Sequence, residues 1–339
     1  MRKLASIQII SDLQPIENAD RILLATVMGW NVIVKKGEFE IGSKCVFFEI
    51  DSVLPDGAPW AEFMRSRKFR VKTCKLRGAL SQGLALPMSI LGGDPNPNRR
   101  FWDWVMRRDG WRVGDDATEV LRVKKHDPHK KGGKYGFKSG QKAGDFPSFI
   151  SKTNEKRIQS SLSLLNKIVD RHIYIATKCD GTSSTFYNLN DEFVACSRNR
   201  KVKDGDNVYW DVVRKYELDK VIPDSIAIQG EIVGPNIQNN HMRLKEVDLF
   251  VFNLFDIKKG KYLEYSKLKE FCEKKKLKMV PVESEMLCTK KVELSEFLEK
   301  ASGKYEGTDV NKEGIVVRTF DRSVSFKVLN NDFLLKEEK

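Results

Sequence analysis

The sequence predicts an α+β protein in two parts, a small β-barrel followed by a larger domain of mainly antiparallel sheets. Three observations carry this. A length of 339 residues suits two domains that each bury a core of their own. The first 90 residues break into short apolar runs separated by Gly, Pro, Asp and Asn, the punctuation of a small barrel. After residue 150 strand-like blocks alternate with helical spacing in no regular order, which argues against a repeating βαβ sheet.

In chain order, the barrel strands are expected at 4–10, 22–26, 31–34, 45–50, 69–75 and 83–86. Residues 101–111 carry three tryptophans, Trp102, Trp104 and Trp111, beside arginines. They suit either a stacking platform for bases or ordinary core packing. Residues 124–144 are rich in Gly and Lys and nearly free of aliphatic side chains, so they cannot build a core and are expected to form a mobile basic linker. His126 and His129 lie there without cysteine or further histidine neighbours, which argues against a metal site. The expected division is 1–122 for the barrel, 123–145 for the linker and 146–339 for the second domain. Helical apolar spacing occurs at 160–170, 267–276 and Leu294–Ala301, with Ser266 as a candidate cap for the second.

The formal net charge is +13, and residues 1–150 hold 26 basic against 17 acidic side chains. A polymer of phosphates is the natural partner for such an excess, although a basic balance also serves solubility. The six cysteines, at 45, 74, 179, 196, 272 and 288, are scattered without a C-x-x-C pair. That argues against a zinc site and for a reducing compartment. No apolar run approaches a membrane span and the N-terminus lacks a secretory core, so a soluble intracellular protein is expected.

Lys178-Cys179-Asp180-Gly181 follows directly on the alternating stretch from Arg171 to Thr177. A lysine thus leaves a strand end on a tight Asp-Gly turn, which is how a covalent nucleotidyltransferase presents its nucleophile. A lone Lys-x-Asp-Gly is weak, but its neighbours are not. Downstream come Ser197-Arg198-Asn199, then residues 229–234 around Glu231, then 252–257 beginning with Phe252. Residues 312–318, with Lys312, Glu313, Gly314 and Arg318, and residues 325–328, with Lys327, complete the series.

In that order the blocks resemble motifs I, Ia, III, IIIa, IV and V of the polynucleotide ligase and messenger-RNA capping superfamily. The whole chain resembles one branch of it, the ATP-dependent RNA ligases of Deinococcus and Naegleria type, in which an OB domain precedes the nucleotidyltransferase domain. Residues 15–22, 34–39, 47–55, 146–153 and 155–159 contribute to the likeness. Twelve residues follow Lys327 in this sequence, so the OB domain that DNA ligases and capping enzymes carry after motif V is not expected here.

The resemblance implies ATP and Mg2+, with Mn2+ as a substitute, and an RNA partner at a nicked duplex or at free ends. An RNA/DNA hybrid remains an open alternative, and the enzyme is expected to be a monomer. Lys178 would be the nucleophile, joined in catalysis by Asp180, Glu231, Glu313 and Lys327. Nucleotide contacts fall to Gly181, Arg198, Glu231, Phe252, Lys312 and Lys327. Thr153, Arg157 and Gln159 would border the adenylate pocket, although on spacing alone Thr153 could equally cap a helix. Phe252 shares an apolar strand with Phe250 and Phe255, any of which could be plain core. Where the family has Lys-x-Lys in motif V, this chain has Ser325 and Lys327, which leaves one lysine. A capping-type guanylyltransferase using GTP and a non-catalytic OB-type RNA-binding protein are the rival readings.

The chemistry of a lysine nucleophile explains the acids. An unperturbed lysine titrates near about 10.4, so at neutral pH few molecules offer a free amine. Asp180, Glu231 and Glu313 would by themselves hold the ammonium charged. A hydrated Mg2+ held by those three carboxylates reverses the logic, since its own charge disfavours the ammonium.

Overall fold

The structure, a computed structural model, describes residues 2–92, 110–126 and 141–337. It divides into two compact units, Met1–Lys130 with Leu334–Lys339, and Lys131–Phe333.

In the first unit the strands are β1 (Ala5–Ile16), β2 (Ala19–Val27), β3 (Trp30–Lys35), β4 (Lys44–Phe48), β5 (Ser52–Val53), β6 (Thr73–Leu76), β7 (Ala79–Gln82), β8 (Leu84–Pro87) and β9 (Lys124–Lys125). The main sheet has the order β3-β2-β1-β4-β8. β1, at 12 residues, runs six residues past the end of the 4–10 run expected, because it changes partner along its length. Ala5–Ile9 pair with β4 and Ile10–Ile16 with β2, with a bulge between Ile10 and Asp12. Such a bulge turns one strand around a barrel corner. The two halves face two cores, one around Leu4, Ile7, Phe48 and Leu54, the other around Ile10, Trp30, Val32 and Phe47. Adjacent Phe47 and Phe48 therefore point to opposite clusters, as strand alternation requires.

The expected 69–75 strand begins only at Thr73. Lys68 and Phe69 both take left-handed φ, 52° and 59°, at the end of a 3-10 helix, Pro59–Arg67. Trp111 is half-buried against the first core, so packing is its role. Trp102 and Trp104 lie outside the described residues.

Both ends of the expected 123–145 linker are strand rather than free chain. β9 pairs with β5, the His126 amide donates to the Asp51 carbonyl at 2.8 Å, and Lys142–Asp145 pairs with Arg200–Val202. Main-chain pairing holds these residues without the side-chain core that their composition rules out. Residues 127–140, with His129, lie outside the described residues.

The second unit holds β10 (Lys142–Asp145), β11 (Lys156–Arg157), β12 (Arg171–Thr177), β13 (Thr182–Leu189), β14 (Glu192–Ser197), β15 (Arg200–Val202), β16 (Ile226–Val233), β17 (Asp248–Asp256), β18 (Lys261–Tyr262), β19 (Lys278–Met279), β20 (Val282–Cys288), β21 (Gly314–Thr319) and β22 (Ser325–Leu329). One sheet runs β10-β15-β14-β13-β16-β17-β18, with β19 also on β17; the other runs β11-β22-β21-β12-β20. Among the described residues the strand ladders are antiparallel except β11 with β22 and β17 with β19. The α+β expectation holds.

Three helical expectations fare differently. Leu294–Ala301 is a helix with those bounds, closed by a capping box between Glu293 and Glu296. The second helix is Tyr265–Lys275 and its cap position is Glu264; Ser266 lies inside the first turn, because buried Tyr265 stacks on Tyr174 at 4.1 Å and draws the start forward. Of 160–170 only Ser163–Lys167 is α-helical. An unexpected helix, Val208–Tyr216, is capped by Asn207, whose side chain accepts from the Trp210 amide. Among the described residues no helix is long and apolar enough to cross a membrane.

Candidate active site

Strand alternation aims Lys178. On β12, Ile173 and Ile175 sink into the core with Ile315, Val317, Phe326 and Val328, while Tyr174 and Ala176 face the other way with Cys179, Phe250 and Phe252. One residue past the strand, the Lys178 amide still donates to the Gly314 carbonyl at 2.9 Å. Lys178 Nζ then meets Glu313 Oε2 at 2.5 Å. The two motif glycines permit the close approach of strands here. A Cβ on Gly181 would lie 2.2 Å from the Ile232 carbonyl oxygen, and one on Gly314, at φ 148°, 2.1 Å from that of Val328. Neither position tolerates another residue without moving the backbone.

Around Lys178 the electrostatics are as the residue types predict. Burial pulls its ammonium down, but Glu313, Glu231 and Asp180 together hold it above the ordinary lysine value. Burial pushes Glu231 up to about 8, with Glu313 and Asp180 adding to the effect against Lys178. Burial likewise raises Asp180 to about 6, helped by Glu313 and opposed by His241, whose Nδ1 lies 2.7 Å from Asp180 Oδ2. Three carboxylates thus crowd one lysine and repel one another, a donor set short of positive charge. Among the described residues no group of three His, Cys, Asp or Glu side chains is arranged to chelate an ion directly. That combination fits a hydrated Mg2+ held through few protein oxygens, and does not fit an all-protein cage.

A second set of residues lines the same face. β17 carries a bulge opposite Gln229 and Gly230, and Phe252 is the extra residue, buried at 8% exposure with Phe250 in one cluster. Phe255 faces a different cluster, so only two of the three phenylalanines compete. The Arg318 guanidinium lies 5.5 Å from the Phe252 ring centroid and donates to Glu155 at 3.1 Å. Ser325, the residue in place of the first motif V lysine, donates its hydroxyl to the other Glu155 oxygen. The serine therefore serves a carboxylate anchor.

The alternative reading of Thr153 as a helix cap fails: residues 156–157 form β11, in parallel register with β22, so that Arg157 stands beside Lys327. Gln159 follows in a 3-10 turn, 1% exposed, with neither amide atom partnered. Arg198 is exposed and reaches Asn154 at 3.5 Å. Lys312 is placed differently from a free phosphate ligand, since both Glu283 oxygens accept from its Nζ at 2.7 Å. His241, Glu283 and Tyr305, all in contact with the site, have no sequence signal, because each arrives from a loop or a strand outside the motif blocks.

Burial pushes the Glu155 carboxyl up, yet Arg318, the Ser325 hydroxyl and Arg322 pull it further, to below its usual range. Its folded pKa being depressed, the pair stabilises the fold above the unfolded carboxyl value and ceases to as pH falls. Arg318 is only 4% exposed. Glu155→Ala should therefore leave an uncompensated buried charge and cost about 3–5 kcal/mol, measured by urea unfolding at neutral pH. A loss under 1 kcal/mol on the same scale would mean that Arg318 is solvated.

A family profile for an OB-fold domain matches residues 4–88, and one for RNA ligases matches residues 171–329. A Naegleria gruberi RNA ligase, a lysine-to-alanine mutant with ATP and Mn, superposes with a TM-score of 0.88 at 30% identity, covering 99% of this chain and 100% of that one. The chain belongs to the RNA ligase family. The same Naegleria ligase with PPi matches at 0.86 and 30%, covering 98% of both chains. A glutamate-to-alanine mutant of it with AMP and Mn matches at 0.86 and 30%, covering 100% of each. A comparison with curated protein sequences returns no match. As an RNA ligase with an N-terminal OB-fold ahead of its ligase domain, the chain acts on RNA, and its first unit contains the OB-fold.

Proposed function

We propose that this RNA ligase uses ATP to join a 3′-hydroxyl to a 5′-phosphate RNA end, at nicks in duplexes, through a covalent lysyl-AMP. The observation that carries this reading is Lys178 Nζ at 2.5 Å from Glu313, at a strand end walled by Asp180 and Glu231. The Naegleria ligase has been seen with ATP, AMP and PPi, the reactant, nucleotide fragment and leaving group of such a transfer.

In the first step Lys178 Nζ, having lost a proton, forms a bond to the α-phosphorus while the bond to the β-phosphate oxygen breaks and pyrophosphate leaves. Glu313 is placed to take the proton. Asp180, Glu231 and Glu313 would hold a hydrated divalent cation through its waters, and that cation would supply charge against the ammonium and on the phosphates. Lys327 offers a point charge to the α-phosphate, with Arg157 beside it. Phe252 stacks on the base, Thr153 and Gln159 border the adenylate pocket, Gly181 lets the chain approach closely, and Arg198 reaches outward toward the sugar or the RNA end. In the second step a 5′-phosphate oxygen takes the AMP from Lys178, and in the third the 3′-hydroxyl displaces AMP.

Incubation with α-labelled ATP or GTP tests the reading. Label from ATP supports it; label from GTP alone would mean a guanylyltransferase, and none a binding protein.

We divide the work between the units: the OB unit holds RNA and the second unit adenylates. A fragment starting at Gln141, which keeps β10 on β15, should form lysyl-AMP yet seal nicked RNA poorly. Its RNA binding should also fall less steeply with salt than that of the full chain, since fewer phosphates are neutralised. Full sealing with an unchanged salt slope would remove the OB unit from the RNA-holding role.

A further inference from the structure

Two side chains outside every motif tie the nucleophile's strand end to that of Glu313. The first is Tyr305, buried at 3% exposure. Its hydroxyl donates to the Lys178 carbonyl at 3.0 Å and accepts from the Glu313 amide at 3.1 Å. One oxygen thus bridges the two backbones whose side chains meet at Nζ and Oε2. The second is Glu283 on β20, whose Oε1 accepts from Thr177 Oγ1 at 2.8 Å and from Lys312 Nζ at 2.7 Å. Thr177 and Lys312 are the chain neighbours of Lys178 and Glu313.

Adjacent residues of extended chain point to opposite sides. Glu283 therefore clamps the two chain ends through the preceding residues, while Lys178 and Glu313 present themselves through the following ones. We infer that Tyr305 and Glu283 are positioning residues, which set the register between Lys178 and Glu313 without touching the nucleotide. The inference rests on the lysyl-AMP reading and adds to it the parts that aim the amine. Near-attack geometry is demanding, and a misplacement of about 1 Å can cost on the order of 100-fold in rate. A hydroxyl lost at Tyr305 removes the bridge between the Lys178 carbonyl and the Glu313 amide and leaves the Lys178 amide on the Gly314 carbonyl.

The test uses the full chain, with Tyr305→Phe and Glu283→Gln made separately. Each is read in two assays: the rate of labelling by α-labelled ATP over a range of ATP concentrations, and the sealing of a pre-adenylated nicked RNA, which bypasses the lysyl bond. The expected result is a fall in the maximal labelling rate, about 10-fold to 100-fold for Tyr305→Phe, with KM for ATP and sealing of the pre-adenylated strand each held within a few-fold. A merely structural role would lower both assays together, and that outcome overturns the inference. So does a wild-type labelling rate in both variants. Should Tyr305→Phe fail to fold, Glu283→Gln, which keeps an acceptor for Thr177 and loses the charge facing Lys312, decides alone. Wild-type protein that takes no label at all would overturn the ligase reading itself, and is told apart from these outcomes by the wild-type lane.

Discussion

Lys178→Ala should take no label from α-labelled ATP, a loss complete within detection. No other described side chain has its setting. Lys312 is chelated by Glu283, and Lys327 stands on β22, beside Arg157. An alanine at 178 keeps the Gly314 backbone bond and the Tyr305 bridge, because both use main-chain atoms, so the fold should survive the change. Sealing of a pre-adenylated 5′ end should persist, since that step makes no use of the lysyl bond. Retained labelling of Lys178→Ala, located on another residue by peptide mapping, would overturn the nucleophile assignment.

The legible part of this protein is what lies on strands. Lys178, Glu231 and Glu313 are legible because each borders or sits within a run whose other residues are visibly apolar: Lys178 after β12, Glu231 inside β16 and Glu313 before β21. The helix Val208–Tyr216 was there to be read too: Tyr209, Val212 and Val213 follow helical spacing behind Asn207, a good cap. Its β-branched and aromatic residues mask that signal by favouring a strand. β1 hides its length behind Pro15, which demotes a strand on paper but is tolerated where the register already shifts, between Pro15 and Ile16. Glu283, Tyr305 and His241 were out of reach for another reason. Their contacts with the lysine's own segment span 106, 127 and 61 positions, and nothing local to a glutamate or a tyrosine announces a contact at that range. Ser325 shows the same limit: its departure from Lys-x-Lys is visible in sequence, but its bond to Glu155 comes only from the parallel pairing of β11 with β22.

The second large effect concerns the carboxylates. Asp180→Ala, Glu231→Ala and Glu313→Ala should each slow lysyl-AMP formation on the order of 100-fold to 1,000-fold, the scale of removing one preorganised electrostatic contact. The three differ in what they relieve. Glu313→Ala also removes the direct partner of Nζ, so it should lose most, whereas His126→Ala, outside every motif block and with its backbone amide held by the Asp51 carbonyl, should lose nothing. The pH dependence follows from the same crowding. With Glu231 raised to about 8 and Asp180 to about 6, the metal-free site holds protons that a cation must displace. Apparent Mg2+ affinity in the labelling reaction should therefore rise between pH 6 and about 9, the direction in which these carboxyls deprotonate. In Glu231→Gln the upper part of that rise should vanish, because the group titrating there is gone. Mg2+ titrations of labelling rate at several pH values measure this. An affinity independent of pH in the wild type, or a Glu231→Gln profile that overlays it, would separate these carboxylates from the metal and leave them only the task of holding Lys178 charged until ATP arrives.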